Sequence, residues 1–285
     1  MTGVDRAAGR AFWKMSGSGN DFVFLDSRSS GAALDPLESA DAVAAICAPH
    51  LGVGADGVVF IAESAEALLA IRYYNADGSR ASLCGNASLC AAQSAVKLGL
   101  ATVGQTFRIS SDAGPIEASI DATGVASVRL ATVKALELDA PEERAPREQR
   151  IGYAIVGVPH LVVLVPDVDA IDVAGRGGIL RHGATRQPEG ANVNFVGAAP
   201  TPGEWRIRTF ERGVERETFA CGTGSVATAA CLIGWNLSAA GQPVHLRTFS
   251  DRVLTVQLPE ASERGWSELS GEARVVFDGV LHAVR

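Results

Sequence analysis

The sequence predicts an α/β (α+β) fold built from two duplicated domains. Three observations support this prediction: the length of the chain, an internal repeat, and short strand patterns that alternate with helical patterns. A chain of 285 residues has the length of two domains of ordinary size, each with its own core. Each half of the chain is therefore expected to form one domain.

The repeat consists of segments that occur in the same order in both halves. "IRYYNADGSRASLCGNAS" from Ile71 can be laid over "IRTFERGVERETFACGTGS" from Ile207, which places Cys84 on Cys221. Upstream, "GADGVVF" matches "GANVNFV", and "GNDFVFLD" matches "GVPHLVVLV". Because the separation between matching segments is nearly constant over half the chain, we infer a duplication.

The elements of the first half follow from their patterns. "DFVFLD" is a short strand, "ADAVAAICAPHLG" has helical apolar spacing up to Gly52, and "VVFI" and "AIRYY" are strands. "SLCAAQSAVKLGL" is a second helix with Gly99 as its C-cap. "TFRIS", "PIEASI" and "ASVRLA" then alternate as strands do, as "VHLRTFS", "VLTVQL" and "EARVVFDG" do in the second half. Each domain is thus expected to close with a run of hairpins.

The domain boundary is expected in "DAPEERAPREQR", residues 139–150, because its charges and two prolines suit a solvated connection. The N-terminal half then covers residues 1–138, with the C-terminal strand as a candidate to complete it. The C-terminal half covers residues 151–285.

Composition and charge exclude several classes of partner. The net charge of −7 gives no basic stripe for a phosphate backbone, so no nucleic-acid partner is expected. No run of about 20 apolar residues that could span a membrane occurs, and the first residues lack the apolar core of a secretory signal. We therefore expect a soluble cytoplasmic protein that binds a small molecule.

The five cysteines are expected to be reduced thiols, as is usual inside cells. None of them forms a C-x-x-C pair, so no metal site is predicted. Buried cysteine is usually a small inert hydrophobe, which is our interpretation of Cys47, Cys90 and Cys231.

Cys84 and Cys221 differ because each precedes a glycine and a helical run. The unpaired N–H groups and partial positive charge of a helix N-terminus favour a thiolate, and the glycines let a carboxylate approach the backbone. Duplicated domains usually pack about a pseudo-twofold axis, which would bring one thiol to each side of a ligand. Two such bases suit a racemase or epimerase, which removes a proton from one face of a carbon and delivers one to the other.

No external cofactor is predicted. The chain has three lysines, and none lies in a repeated motif where a pyridoxal Schiff base would be expected. No phosphate-binding loop of a nucleotide site is present in the sequence either.

The motifs "SGSGNDFVFLD", "NADGSRASLCGN", "GVPH", "ANVNF" and "ERGVERETFACGTG" occur in one order over nearly the whole chain. In this set the sequence resembles the diaminopimelate epimerases. The resemblance implies a cofactor-independent epimerase that interconverts LL- and meso-diaminopimelate in lysine and peptidoglycan precursor synthesis. It also implies a homodimer, and two pseudo-symmetric domains that each wrap a sheet around a central helix, with the active site in the cleft between them.

The resemblance also implies roles for individual residues. Cys84 and Cys221 correspond to the catalytic acid and base, and His160 and Glu211 to groups that tune the pKa values of the cysteines. The remaining matches correspond to substrate-binding positions: Asn20, Asn75, Gly85, Asn86, Asn192, Glu211, Arg212, Gly222 and Thr223.

Other interpretations stay open at this stage. Val158 stands where many family members have an asparagine, so an epimerase or racemase acting on another amino acid, such as histidine, is the alternative function. A third possibility is an isomerase of the phenazine type or a binding protein with the same fold. Asn20 and Asn75 could be turn residues, His160 a core histidine, and Glu211 and Arg212 an ion pair.

Overall fold

The computed structural model describes residues 9–30, 34–130, 132–259 and 265–282. The chain forms two compact units, one of Met1–Val128 with Glu272–Arg285 and the other of Arg129–Gly271. Residues 139–150, the expected boundary between the halves, lie inside the second unit. The C-terminal strand, the candidate to complete the N-terminal half, lies in the first unit.

In the described N-terminal part of the chain, the first unit has eight strands and two α-helices. The strands are β1 (Arg10–Gly17), β2 (Asn20–Asp26), β3 (Gly57–Ala62), β4 (Leu69–Asn75), β5 (Arg80–Ala81), β6 (Thr106–Ser111), β7 (Gly114–Ile120) and β8 (Ala126–Leu130), which runs across the unit boundary. The helices are α1 (Ala40–Cys47) and α2 (Gly85–Lys97), with a short 3-10 helix at Arg28–Ser30.

The second unit follows the same plan. Its strands are β9 (Ala135–Glu137), β10 (Arg150–Val156), β11 (Val158–Leu164), β12 (Asn192–Ala198), β13 (Glu204–Glu211), β14 (Arg216–Thr218), β15 (Val244–Arg247), β16 (Val253–Gln257) and β17 (Ser267–Gly271). Its helices are α3 (Val173–Arg181) and α4 (Gly222–Gly234), with a 3-10 helix at Ala184–Arg186. The last strand of the chain, β18 (Ala273–Leu281), returns to the first unit.

The pairing of the strands repeats from one unit to the other. In the first unit β1–β2 and β3–β4 are antiparallel, whereas β2–β3 and β4–β6 are parallel. In the second unit β10–β11 and β12–β13 are antiparallel, whereas β11–β12 and β13–β15 are parallel. Each unit ends in antiparallel neighbours, β6–β7–β8 and β15–β16–β17. The hairpin patterns predict five of these six strands. The sixth pattern, "EARVVFDG", falls on β18 of the first unit, and the strand found in its place is β17. The predicted mixed sheets and the α/β (α+β) class are confirmed.

The C-terminal strand explains why the units divide as they do. β18 pairs antiparallel with β1 over the full length of β1, from Arg10 opposite Leu281 to Gly17 opposite Ala273. In the second unit the equivalent neighbour of β10 is the short strand β9, which precedes it in the chain. Residues 139–150 connect these two paired strands, so they belong to the second unit.

α2 and α4 are the buried helices of their units. α2 packs against β1, β4, β7 and β18, and α4 packs against β9 to β12, β16 and β17. Both are rich in small residues and are buried on nearly every side, as a helix surrounded by strands must be. Within the described residues, no helix is long and apolar enough to cross a membrane.

Two helix ends can be compared with the sequence pattern. Gly99 follows the last turn of α2 with a positive φ of 70°, the conformation that favours glycine after a helix. The predicted helix over residues 40–52 ends earlier, at Cys47. Ala48 precedes Pro49 and has a ψ of 122°, because a proline disfavours the helical conformation in the residue before it.

Candidate active site

Both predicted catalytic cysteines cap a buried helix. Cys84 is the N-cap of α2 with φ −134° and ψ 119°, and Cys221 is the N-cap of α4 with φ −131° and ψ 112°. Cys84 is half-buried and Cys221 is buried. The Sγ of Cys221 accepts a hydrogen bond from the backbone N of Gly224 at 3.4 Å and lies 3.7 Å from Oγ1 of Thr223. The two cysteines therefore have the same backbone conformation at the same place in each unit.

A serine in the first turn of each helix repeats this match. Ser88 Oγ donates to the carbonyl oxygen of Cys84 at 2.9 Å, and Ser225 Oγ donates to that of Cys221 at 2.9 Å. The duplicated halves thus share side-chain contacts as well as strand order.

In the first unit Asn20 and Asn86 meet beside this helix terminus. Asn86 Nδ2 donates to Asn20 Oδ1 at 2.7 Å, and Asn20 Nδ2 donates to Asp56 Oδ2 at 3.0 Å. Asn86 and Gly85 lie in the first turn of α2, and both are buried. Asn20 is therefore held by contacts distant in sequence, which excludes its interpretation as a turn residue that bonds only its own backbone.

Asp56 belongs to a charged network beneath Asn20. Its backbone N donates to Asp21 Oδ1 at 3.1 Å, and the Asp21 carboxylate forms an ion pair with the buried ammonium of Lys14. Lys14 also donates to the carbonyl oxygen of Gly54. Asp56 consequently fixes which end of the Asn20 amide faces Asn86.

Asn75 differs from the other predicted binding residues. It ends β4, and its Nδ2 donates to Ser79 Oγ at 3.0 Å within the turn that follows. The backbone N of Asn75 also donates to the Ser79 carbonyl oxygen. The Asn75 side chain therefore takes part in this turn.

In the second unit Asn192 connects β11, β12 and β13. Its Oδ1 accepts from the backbone N of Arg212 at 2.7 Å, and its Nδ2 donates to the carbonyl oxygen of Pro159 at 3.4 Å. The Arg212 guanidinium donates to the carbonyl oxygen of Glu189 at 3.3 Å. Among the described residues it forms no ion pair with a carboxylate. Its charge is available for an acidic ligand.

Glu211 and Arg212 do not form the ion pair that was the alternative interpretation. Glu211 Oε2 instead accepts from Thr218 Oγ1 at 2.8 Å, across the β13–β14 pair.

His160 lies in β11 and is completely buried. Burial, and secondarily the charge of Arg212, lower its pKa from 6.5 to about 3, so the imidazole is neutral in the folded protein. Its Nδ1 lies 3.4 Å from Nδ2 of Asn194, which is also fully buried. Asn194 in turn contacts the first turn of α4, because a Cβ at Gly224 would stand 2.3 Å from Asn194 Oδ1.

The other cysteines are placed as structural residues. Burial raises the pKa of Cys47 and of Cys231 to about 12, and it raises the pKa of Cys90 well above the usual range. No group of three or more histidine, cysteine or acidic residues that could hold a metal occurs in the described ranges.

The comparison with known proteins decides the family. The family model described as diaminopimelate epimerase matches residues 12–135 and 152–265, one match in each half of the chain. The chain belongs to the diaminopimelate epimerase family. The predicted resemblance is confirmed.

Relatives agree with this assignment along the whole chain. A diaminopimelate epimerase of Gemmatimonas aurantiaca is 44% identical and covers 95% of this chain and 99% of its own length. A diaminopimelate epimerase of Aquifex aeolicus is 38% identical, with 95% and 97% covered.

Solved structures of more distant proteins share the fold of this diaminopimelate epimerase family member. A hydroxyproline epimerase from Agrobacterium vitis has a TM-score of 0.70 at 18% identity, covering 96% of this chain and 92% of its own. A Bacillus anthracis protein of the phenazine biosynthesis PhzF family has a TM-score of 0.69 at 16% identity, with 95% and 98% covered. At such low identity these matches show the fold alone.

Sequence analysis missed Asp56 and Asn194 of this family member. Both lie inside the repeated segments "GADGVVF" and "GANVNFV", so a polar residue within an apolar strand pattern was the available signal. The match between these segments needs a shift of one residue. Val58 and Val193 belong to corresponding core clusters, which include residues of α1 and α3 respectively, so Gly57, not Asp56, is the counterpart of Asn192.

Proposed function

We propose that this chain interconverts LL- and meso-diaminopimelate without an external cofactor, with Cys84 and Cys221 as the acid and base pair. The observation that carries the proposal is the pair of cysteines with matching N-cap geometry on two buried helices of a family member. The names of the relatives at 44% and 38% identity supply the substrate.

The reaction needs one proton to leave the α-carbon and one to return. In the proposed mechanism one cysteine, as a thiolate, takes the α-proton, and the other, as a thiol, delivers its proton to the opposite face. Each turnover exchanges the protonation states of the two sulphurs, so the enzyme that has acted in one direction is ready for the reverse direction.

The carbanion formed in between needs stabilisation because an amino acid α-proton is weakly acidic. We propose that the first-turn residues Gly85, Asn86, Gly222 and Thr223 donate hydrogen bonds to the reacting carboxylate. Backbone N–H groups at a helix N-terminus are fixed before the reaction and carry a partial positive charge, so they stabilise negative charge without rearranging.

We propose that charged and amide side chains bind the distal end of the substrate. Arg212, which has no carboxylate partner among the described residues, suits a bidentate contact with the distal carboxylate. Further substrate contacts are proposed for Asn20, Asn75, Asn192 and Glu211. Glu211 and His160 are also proposed to tune the pKa values of the two cysteines. Asn20 and Asn192 are already oriented by hydrogen bonds, which lowers the entropic cost of binding.

Two further proposals concern the state of the protein in the cell. The chemistry needs reduced thiols, which the cytoplasm maintains. A homodimer is proposed from the family resemblance, and the exposed apolar side chains of β18 support it. Val276, Phe277 and Val280 are exposed by 45%, 47% and 48%. Phe277→Arg should shift the sedimentation coefficient to that of a monomer, and an unchanged dimer would place the interface elsewhere.

The central test is proton exchange. Purified protein is incubated with LL-diaminopimelate in D2O, and α-deuterium and the LL/meso ratio are followed by NMR and chiral chromatography. We expect deuterium uptake at the epimerised centre together with conversion to the meso isomer. Absence of uptake with either isomer would remove the proposal.

The roles of the thiols are tested by substitution with a matched control. Cys84→Ala and Cys221→Ala should each lower epimerisation by several orders of magnitude, because a two-base reaction cannot proceed with one base. Cys47→Ala, which removes a buried thiol with a raised pKa, should retain activity. Wild-type activity in either of the first two variants would contradict the assignment.

Substrate choice is tested with a panel of amino acids that includes histidine, proline, glutamate and lysine. Val158 is half-buried at the start of β11, so Val158→Asn is the variant to compare. We expect diaminopimelate to be turned over faster than every other member of the panel. A preference for another amino acid would replace the proposed substrate while keeping the two-base chemistry.

A further inference from the structure

The buried side chains around His160 form a hydrogen-bonded group that the proposed mechanism does not yet use. Asn194 Nδ2 donates to the carbonyl oxygen of Leu161 at 3.0 Å, and Asn194 Oδ1 accepts from Thr209 Oγ1 at 3.0 Å. Asn194 Nδ2 also lies 3.4 Å from His160 Nδ1. All four residues belong to the second unit, and the three polar side chains are almost completely buried.

These contacts determine which way the Asn194 amide points. A backbone carbonyl oxygen can only accept, so the atom of Asn194 that faces Leu161 must be the NH2 group. The same NH2 group is the one beside His160 Nδ1. Because Nδ2 can only donate, Nδ1 of the neutral imidazole must accept, and the imidazole proton must reside on Nε2.

The other nitrogen of the ring then needs an acceptor. His160 Nε2 is buried and has no hydrogen-bond partner among the described residues. Buried polar atoms are nearly always paired in folded proteins, so an unpaired N–H points to an acceptor that binds there. Asn194, which meets the ring at Nδ1, also contacts Gly224 in the first turn of α4, and Gly224 donates to Cys221 Sγ, so a chain of contacts links the imidazole to this helix N-terminus.

The first unit shows that the fold does not require this polar group. By strand register and core-facing residues, His160, Asn194 and Thr209 correspond to Phe22, Val59 and Tyr73. Phe22 and Val59 are fully buried, and Phe22 packs edge-on against Tyr73 with ring centroids 5.9 Å apart. One unit fills these positions with apolar and aromatic groups, and the other with a hydrogen-bonded set. Folding alone does not account for the difference.

We infer that Asn194 is a positioning residue that holds His160 as the Nε2–H tautomer, so that His160 acts as a hydrogen-bond donor to an anion and not as a proton acceptor. The anion is a carboxylate of the substrate or the thiolate of Cys221. The role in catalysis rests on the proposed function, whereas the tautomer is a property of the protein without substrate. The low pKa of His160 agrees with a ring that stays neutral as it donates.

The tautomer is read by NMR of the full-length protein labelled with 15N-histidine, with His160→Gln used to assign the signals. We expect Nε2 to resonate as a protonated nitrogen and Nδ1 as an unprotonated one at neutral pH. A wild-type ring protonated at Nδ1, or an even mixture of tautomers, would overturn the inference.

Variants of Asn194 separate positioning from mere packing. Asn194→Asp replaces the donor facing Nδ1 with an oxygen and should move the proton to Nδ1. Asn194→Val, which copies Val59 of the other unit, should give a mixture. Thr209→Val removes a neighbouring buried hydrogen bond but leaves the Leu161 contact, so it should keep the Nε2–H tautomer. A wild-type tautomer in both Asn194 variants would contradict the assignment.

Kinetics then connect the tautomer to the reaction. In Asn194→Val we expect kcat to fall by about tenfold or more, as when a fixed donor to developing charge is lost, with a smaller change in KM. An unchanged kcat with a mixed tautomer would remove the catalytic role. If the protein failed to epimerise diaminopimelate while keeping the Nε2–H tautomer, the proposed substrate would be wrong and the inference about Asn194 would stand.

Two spectra distinguish the acceptors. If the Cys221 thiolate accepts, the Nε2–H signal of the free protein should move in Cys221→Ala. If a substrate carboxylate accepts, the signal should move when diaminopimelate is added to that same inactive variant. No movement in either spectrum would show that nothing anionic accepts from Nε2, and would overturn the donor role.

Discussion

At the scale of single residues, one amino acid type has different properties in different places. Cys84 and Cys221 cap helices, whereas Cys47, Cys90 and Cys231 lie in the cores of their units. A thiol reacts as its thiolate, and burial without a compensating charge suppresses that form. The chemistry of each cysteine therefore follows from its surroundings.

This contrast predicts the order of alkylation in the folded protein. At about pH 8, a cysteine with a pKa of about 12, such as Cys47 or Cys231, has roughly one thiolate in ten thousand molecules. Cys84 is half-buried at a helix N-terminus and should react first with iodoacetamide. Peptide mass spectrometry of a time course measures this, with urea-unfolded protein as the control in which all five react. Equal labelling of Cys84 and Cys231 in the folded protein would contradict the prediction.

His160 gives a prediction for stability against pH. Its pKa is about 3 in the folded protein, against an ordinary value of 6.5. Between these values the unfolded chain binds a proton that the folded protein does not, so the free energy of unfolding falls as the pH falls below 6.5. A fully titrating group contributes about 1.4 kcal/mol per pH unit.

Urea denaturation of wild type and His160→Gln measures this contribution. Other groups titrate in the same range, and the comparison of the two proteins removes them. On going from pH 7 to pH 5.5, wild type should lose about 1 kcal/mol more than the variant. Equal losses in the two proteins would show that His160 is not held neutral.

At the scale of elements, close contact between a strand and the buried helix limits what the strand can carry. A Cβ at Gly17 in β1 would stand 2.6 Å from the carbonyl oxygen of Asn86 and 2.9 Å from Cys90 Sγ. A Cβ at Gly152 in β10 would stand 2.8 Å from Cys231 Sγ. In both units the strand next to the helix approaches it through a glycine.

Gly17→Ala should therefore destabilise the protein and disturb the site. The methyl group meets backbone of α2 that cannot move without shifting Asn86, and overpacking of this kind costs about 1–3 kcal/mol. Gly178→Ala is the matched control. Gly178 lies within α3, and its added Cβ would stand 4.0 Å from the nearest atom of Phe210, so this variant should be more stable than wild type by up to about 1 kcal/mol. Denaturant unfolding and kcat measure both variants. Equal stability of the two would contradict the contact.

The elements also show what the sequence could predict. The repeat, the two cysteine-capped helices and the closing hairpins of the first unit were predictable because they depend on local pattern. The end of α1 was predictable too, since Pro49 marks it, but apolar spacing alone extended the helix to Gly52. The C-terminal strand was a candidate to complete the N-terminal half, but its pairing with β1 was not predictable, because no local pattern records a partner so distant in sequence.

In the candidate active site, too, only the residues that belong to a local sequence pattern were predictable. Residues inside the cysteine motifs were found, whereas Asp56 and Asn194 act through hydrogen bonds to Asn20 and His160 on neighbouring strands. Such partners become visible only when the strand register is known. The one-residue shift between the repeated segments of β3 and β12 was missed for the same reason. The correct alignment depends on which side chains face the core, and the sequence alone does not show this.

At the scale of the whole molecule, the chain builds its first unit from both of its ends and its second from one continuous stretch. The core around Val23 and Phe60 includes Phe12 of β1 and Leu281 of β18. The described residues that form the core around Leu161 and Phe195 all lie between 140 and 210. The two cores therefore differ in how much of the chain must be present before they can form.

Fragments test this difference. Residues 129–271 should fold and unfold cooperatively, because the core around Leu161 and Phe195 and the pairs that join β9 to β17 lie within the fragment. Residues 1–128 should not, because β1 lacks its neighbour on one side and the core lacks Leu281. Joining residues 272–285 to residue 128 through a flexible glycine and serine linker should restore a cooperative transition, as the linker only needs to span the gap. Circular dichroism during urea titration measures the unfolding transition of all three fragments. If residues 1–128 unfolded cooperatively with the same midpoint as the linked fragment, β18 would be dispensable to the first unit, and its long pairing with β1 would contribute nothing to stability.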